Sequence, residues 1–145
     1  MKDSRIRVRT SKYHKRLYND FKKQNIGDAH VVFFISACVG YSMRQRKPLG
    51  KDGEDRFYEY TISPRERAIY QSIFLNEKSF DLQVIQEDES MIRLMEEYAN
   101  GGLHHIIDNI PLCFETSDDG ECVLKESEGS NLSSRLLSLI IQAIE

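Results

Sequence analysis

Four side chains able to ligate zinc stand close together: His104, His105, Cys113 and Cys122 fall within nineteen residues. Zinc modules usually draw their ligands from paired CxxC and HxxxH spacings. Neither spacing occurs in this stretch. His104 and His105 are adjacent, so on a helix they would point about 100° apart. The pattern reads as a surface histidine pair with two buried or half-buried thiols, and no metal is expected. Cys38 lies in the most apolar segment, with no charged neighbour before Arg44. A thiol in such surroundings has a raised pKa and is inert. No GxSxG, P-loop or GxGxxG pattern is present. Glu87-Asp88-Glu89, Glu96-Glu97 and Asp118-Asp119 are carboxylate runs, but a nuclease would need them gathered around a lysine, and no spacing imposes that. Such runs usually form solvated faces. The sequence therefore nominates no catalytic residue and no cofactor, and the expectation is a binding protein rather than an enzyme.

The cations are more informative. Residues 1–52 carry 13 Lys and Arg against 4 Asp and Glu, or +9. Residues 53–145 carry 7 against 19, or −12, and the two sum to the net −3. Arg5, Arg7 and Arg9 alternate in RIRVR; Lys12, Lys15, Arg16, Lys22 and Lys23 follow; Arg44, Arg46 and Lys47 form a third group. Such a set can track a phosphate backbone, with Tyr13, His14 or Tyr41 alongside. Against that stand the absence of a helix-turn-helix spacing and an acidic remainder that repels DNA. An acidic protein partner, or the chain's own acidic part, fits the same cations equally well.

The elements that must position these residues are mostly helical. Thr10 or Ser11 can cap a first helix to about Gln24, with Tyr13, Leu17 and Phe21 as its apolar ridge and Tyr18 beside it. Gly27 stops it and Asp28 starts the next, which runs from Ala29 to about Gln45. Its stretch VVFFISACVGY has no polar face, and its length favours a buried helix over a strand. Gly40 within it suggests close helix packing. Residues 48–56 read as a loop, and Phe57, Tyr58, Tyr60 and Ile62 as one small strand. Ser63-Pro64-Arg65-Glu66 is a capping box opening a helix to about Asn76, burying Ile69, Ile73 and Phe74. Phe80 to Ile85 is a short apolar stretch of undecided type. A helix from about Asp88 to Asn100 should end on Gly101-Gly102, followed by a short helical piece through Leu103, Ile106, Ile107 and Ile110. Residues 115–130 read as an acidic loop or hairpin. Residues 131–145 form an amphipathic helix on Leu132, Leu136, Leu137, Ile140, Ile141 and Ile144.

Two stretches taken together carry a family resemblance: FFISACVGYSMRQRKPL (Phe33 to Leu49) and EEYANGGLHHI (Glu96 to Ile106). Their order and separation resemble a small family of Dnd system-associated proteins, encoded beside bacterial DNA phosphorothioation genes. The likeness covers roughly residues 10–110. It implies an accessory role in a prokaryotic DNA-modification, restriction or anti-phage defence system, with DNA or other proteins of the system as partners. It brings no catalytic residues. The positions it singles out for testing are Arg44, Arg46 and Lys47 beside the apolar helix, and Asn100, Gly101 and Gly102, which would form a loop site or, more simply, a plain helix cap.

The expected fold is all-α or mainly α: five to six helices around one core, in a single domain over residues 1–145, with at most one small β-hairpin. Leu17, Phe21, Val32, Phe33, Ile35, Ile69, Ile73, Met95, Ile106 and Leu137 should line that core. The longest apolar run, Ala29 to Gly40, is too short to span a membrane, no secretory signal is visible, and three cysteines suit a reducing cytoplasm. The first functional reading is a non-enzymatic accessory protein that binds DNA or a protein partner. The second is an adaptor or homodimer joined through the C-terminal helix. A small metal-dependent nuclease is a third.

Overall fold

The computed structural model describes residues 6–78 and 88–144. Among these are five α-helices: α1 (Lys15–Lys23), α2 (Ala29–Ser42), α3 (Pro64–Glu77), α4 (Asp88–Asn109) and α5 (Leu132–Ile144). Two small antiparallel pairs accompany them, β1 (Arg7–Ser11) with β2 (Gly53–Tyr58) and β3 (Phe114–Thr116) with β4 (Cys122–Leu124). The mainly α expectation holds. The second pair is a hairpin turned by residues 117–121, with Gly120 at φ 86°, so the acidic segment is hairpin rather than open loop. The first pair joins distant segments: β1 has no local signature in the sequence, and the small strand expected at 57–62 lies earlier, at Gly53–Tyr58, taking in part of the expected loop and giving way to a 3-10 turn at Glu59–Thr61. Phe80 to Ile85 lies outside the described residues.

Two helical starts are capped by side chains, whereas Asp28 precedes α2 without a side-chain capping bond. Ser11 accepts a hydrogen bond from the Tyr13 N–H and opens a 3-10 turn ahead of α1. The capping box forms as expected: Ser63 accepts from Glu66 N–H, and the Glu66 carboxylate accepts from Ser63 N–H at 2.9 Å. The buried face of α3 is Glu66, Tyr70, Ile73 and Phe74. Ile69, one residue before the large Tyr70, is turned outward and 42% exposed, which corrects its expected core position. On α5, Leu132, Leu136 and Leu139 are buried at i, i+4, i+7, and Leu137 falls off that line at 58% exposure. Ile35 is only half-buried.

The centre of the molecule is the crossing of α2 and α4, the most extensive contact between helices. Here the sequence reading needs its main correction. α4 does not end at Asn100; it runs through Gly101 and Gly102 to Asn109. Neither glycine adopts a left-handed conformation. Their use is closeness. A Cβ on Gly102 would stand 1.7 Å from the Ser36 carbonyl oxygen of α2, and one on Gly101 would stand 2.1 Å from the Gln45 carbonyl oxygen. From the other side, a Cβ on Gly40 would meet the Tyr98 carbonyl oxygen at 2.1 Å. The two backbones touch, as Gly40 led one to expect. Leu103, Ile106 and Ile110 continue the buried face beyond the glycines, and their burial outweighs the roughly 1 kcal/mol that each glycine costs a helix interior.

β1 is tied to α4 as well as to β2. At a bulge between Val8 and Arg9, the Arg9 N–H turns to the Glu96 carboxylate at 2.7 Å. Glu96 is 3% exposed and also accepts from Arg93 at 2.5 Å. Burial pushes its carboxyl pKa up, while the Arg9 N–H and the Arg93 guanidinium oppose the shift.

Candidate interface and cleft

The expected basic set divides into neutralised and free members. Arg5 lies outside the described residues. Arg7 pairs with Asp55 at 2.8 Å and sits 5.3 Å from the Tyr58 ring. Arg9 reaches Glu96 at 3.9 Å, and Arg46 binds Glu97 at 2.7 Å. These three pairs join the basic third to the acidic remainder, so part of the charge asymmetry closes within the fold. Lys12 faces Asp52 and Lys22 faces Asp28, both at 3.6 Å. Lys47 Nζ stands 3.4 Å from His104 Nε2.

The side chains of Lys15, Arg16, Lys23 and Arg44 form no hydrogen bond or ion pair among the described residues, and all four residues are exposed; Arg16 alone feels a carboxylate, the exposed Asp119. Three of them lie on α1. That helix buries Leu17, Tyr18 and Phe21, which turns Lys15, Arg16, Lys22 and Lys23 together to the outside. Lys15 and Lys22, and likewise Arg16 and Lys23, are seven residues apart, close to two turns. The result is a two-row cationic face on a short helix.

Asn100, Gly101 and Gly102 do not form a loop site. They are buried within α4 and hold the neighbouring loop. Asn100 Nδ2 donates to the Lys47 carbonyl oxygen at 3.1 Å, and Gly101 lets Gln45 approach. The Lys47 N–H in turn donates to the Glu97 carbonyl oxygen at 3.0 Å. The two stretches that carry the family resemblance therefore pack on each other, and residues 43–47 are fixed by α4.

Beside that loop opens a cleft of about 510 Å³, walled by Tyr41, Arg44, Arg46, Asn76, Glu77 and Tyr98. A second hollow of about 500 Å³ continues it past Arg46 and Glu77 toward Arg93 and Glu97. Tyr98 Oη donates to Glu77 at 2.5 Å, Asn76 Nδ2 donates to Tyr41 Oη, and the two tyrosine rings meet edge to face at 5.5 Å. The Arg46 guanidinium lies 6.0 Å from the Tyr98 ring centre. Burial and the Glu77 carboxylate push the Tyr98 hydroxyl up to about 12, so it stays a donor. The sequence reading found the arginines and Tyr41. It missed Asn76, Glu77 and Tyr98, which the packing of α3 on α4 brings in and no spacing announces.

The histidines are not a surface pair. His104 is half-buried and meets the buried His14 ring edge to face at 5.0 Å. Burial, His104, Lys47 and Arg56 together hold the His14 imidazole down at about 3, and burial and Lys47 lower His104 as well. His105 is half-buried, and its carbonyl accepts from Asn109 at 2.8 Å. Among the described residues no three His, Cys, Asp or Glu converge on a metal position. The thiols of Cys38 and Cys122 are pushed up to about 11 by burial. No helix among the described residues is long and apolar enough to cross a membrane.

The fold and these surfaces define a small, mainly helical domain with a cationic outer helix and a tyrosine–arginine cleft. The chain belongs to the family of DNA sulphur modification system-associated protein 4, whose profile matches residues 7–135. The match extends past the stretches that carry the resemblance, into the β3–β4 hairpin and the start of α5. No curated protein and no solved structure matches the chain.

Proposed function

We propose that the protein is a non-enzymatic, cytoplasmic accessory component of a DNA phosphorothioation-linked defence or restriction system, and that it works by binding DNA through the outer face of α1. One observation carries this reading. The side chains of Lys15, Arg16 and Lys23 are exposed and form no hydrogen bond or ion pair among the described residues, Arg16 sensing only the exposed Asp119, although the chain carries an excess of acids that could have neutralised them. Phosphate contacts of this kind are salt-dependent, with log K falling by about 0.9 per contact against log salt.

The test is binding to labelled duplex DNA, unmodified and phosphorothioated, at two salt concentrations. Salt-sensitive binding that weakens in a Lys15→Glu, Arg16→Glu, Lys23→Glu variant supports the reading, and a preference for one duplex ties it to the modification. No binding to either duplex at low salt sinks it. The alternative is then a protein adaptor or homodimer. It is favoured by Leu137 and Ile141, which stand one turn apart on α5 at 58% and 45% exposure.

A further inference from the structure

Arg44 occupies a position that normally belongs to glycine. α2 ends in a Schellman motif: the Gln45 N–H donates to the Gly40 carbonyl at 2.8 Å and the Arg44 N–H to the Tyr41 carbonyl at 3.2 Å. The residue at this point must be left-handed, and Arg44 has φ 55°. α1 ends in the same motif, with Ile26 N–H on the Phe21 carbonyl and Asn25 at φ 60°. Asparagine is an ordinary occupant of that conformation, whereas an arginine there is disfavoured. No hydrogen bond or ion pair of its side chain compensates among the described residues. The strained backbone instead places an unpaired guanidinium on the wall of the 510 Å³ cleft. Such outliers collect where a ligand is bound.

The rest of the wall narrows the ligand. Arg46 is held by Glu97 at 2.7 Å and by the Tyr98 ring, so its guanidinium plane is fixed while half of it stays exposed. Tyr41 adds an aromatic ring beside it. Asn76 has an amide carbonyl with no partner among the described residues, and Glu77 has a carboxylate oxygen beyond the one that Tyr98 engages. A free cation, a fixed guanidinium plane, an aromatic ring and two acceptors suit a ligand with one anionic end and a planar, amino-bearing body. The carboxylate of Glu77 repels a plain polyanion. The volume is within the range of small-molecule sites.

We propose that this cleft binds one nucleotide unit, with Arg44 on the phosphate, Arg46 and Tyr41 along the base, and Asn76 and Glu77 accepting from base amino groups. The unit comes either as a free nucleotide or from a single-stranded segment. The site is separate from the α1 face, so duplex binding can fail without touching it.

The experiment titrates the full chain with deoxynucleoside 5′-monophosphates, the matching nucleosides, inorganic phosphate and short single-stranded oligonucleotides, following the Asn76 amide and the tyrosine rings by NMR. A monophosphate should bind more tightly than its nucleoside or inorganic phosphate and shift Asn76 and Tyr41. Arg44→Gly should weaken it at least about tenfold, the loss of one charge-assisted contact, while leaving the unfolding midpoint unchanged or raised, because glycine fits the left-handed turn. The α1 reversal variant should leave it unchanged. Tighter binding of the oligonucleotide than of the monophosphate identifies a strand as the source, and the reverse identifies a free nucleotide. Equal affinity for inorganic phosphate, unchanged binding by Arg44→Gly, or no binding of any nucleotide at millimolar concentration each overturns the proposal.

Discussion

Replacing Gly102 by alanine tests the α2–α4 crossing directly. In an exposed helix interior a glycine-to-alanine change stabilises by roughly 1 kcal/mol. The crossing reverses the sign. The new Cβ would stand 1.7 Å from the Ser36 carbonyl oxygen and 2.7 Å from both the Gly40 nitrogen and the Ser36 carbonyl carbon. All three are backbone atoms of a buried helix and cannot rotate away. Ordinary contact begins at 3.4 Å, so the helices must part by 3.4 − 1.7 = 1.7 Å locally. A gap of even 0.5–1 Å forfeits about a quarter to a half of a van der Waals contact. The parting would loosen Phe33 and Ala37 on one helix and Met95, Ala99 and Leu103 on the other, all buried. The net loss should be about 3 kcal/mol or more, at the upper end of overpacking penalties. Gly101→Ala should cost less, because its obstacle is the Gln45 carbonyl in an exposed loop. Urea unfolding followed by circular dichroism gives both numbers. If Gly102→Ala matches or exceeds the parent in stability, the helices do not touch there and the glycines act as a cap after all.

Four further outcomes can be checked. His14 is held at about 3 in the fold against about 6.5 unfolded, so the unfolded state takes up the proton first and stability falls as pH drops below 6.5; the loss should reach about 2 kcal/mol at pH 5. Urea midpoints at several pH values should show this slope shrinking in His14→Gln, and an unchanged slope would acquit the residue. Ser63→Ala should cost about 1 kcal/mol by opening the capping box, read from the thermal midpoint. Leu136→Asp should unfold the protein or lower its midpoint sharply, because the side chain is 5% exposed, whereas Leu137→Asp should leave the fold intact and matter only to sedimentation, if copies associate. Cys38 should alkylate slowly at pH 8, since its thiol sits near 11 and only thiolate reacts; fast labelling of Cys38, located by peptide mapping, would contradict its burial.

Local signals were legible, and long-range ones were not. The box at Ser63 and the apolar length of α2 each act within a few residues, and each appears where the sequence places it, although α2 ends at Ser42, short of the expected Gln45. Gly101-Gly102 shows the limit. Read locally, paired glycines end a helix. The contrary signal was present, since Ile92, Met95, Ala99, Leu103 and Ile106 keep one helical face across them. It makes sense only once Ser36 lies opposite. β1 needed a partner some forty-five residues away, and RIRVR reads as charge rather than strand until Val8 is seen fully buried. For the cleft, Arg44 and Arg46 were visible as charges, but the left-handed turn beneath Arg44 was not. Nothing local makes arginine a turn former.

The α2–α4 crossing also sets a schedule for the nascent chain. α2 leaves the ribosome as fourteen residues without a polar face, and the helix that covers it is complete only at Asn109. The 109 − 42 = 67 residues between those two ends take roughly 3–13 s to synthesise at typical rates. During that interval α1, β2 and α3 can shield only parts of α2. The half-made protein should therefore depend on chaperone cover until α4 is complete, because exposed apolar surface in partly folded chains favours aggregation. Expression yield, rather than the stability of the finished molecule, is where this arrangement would be felt first.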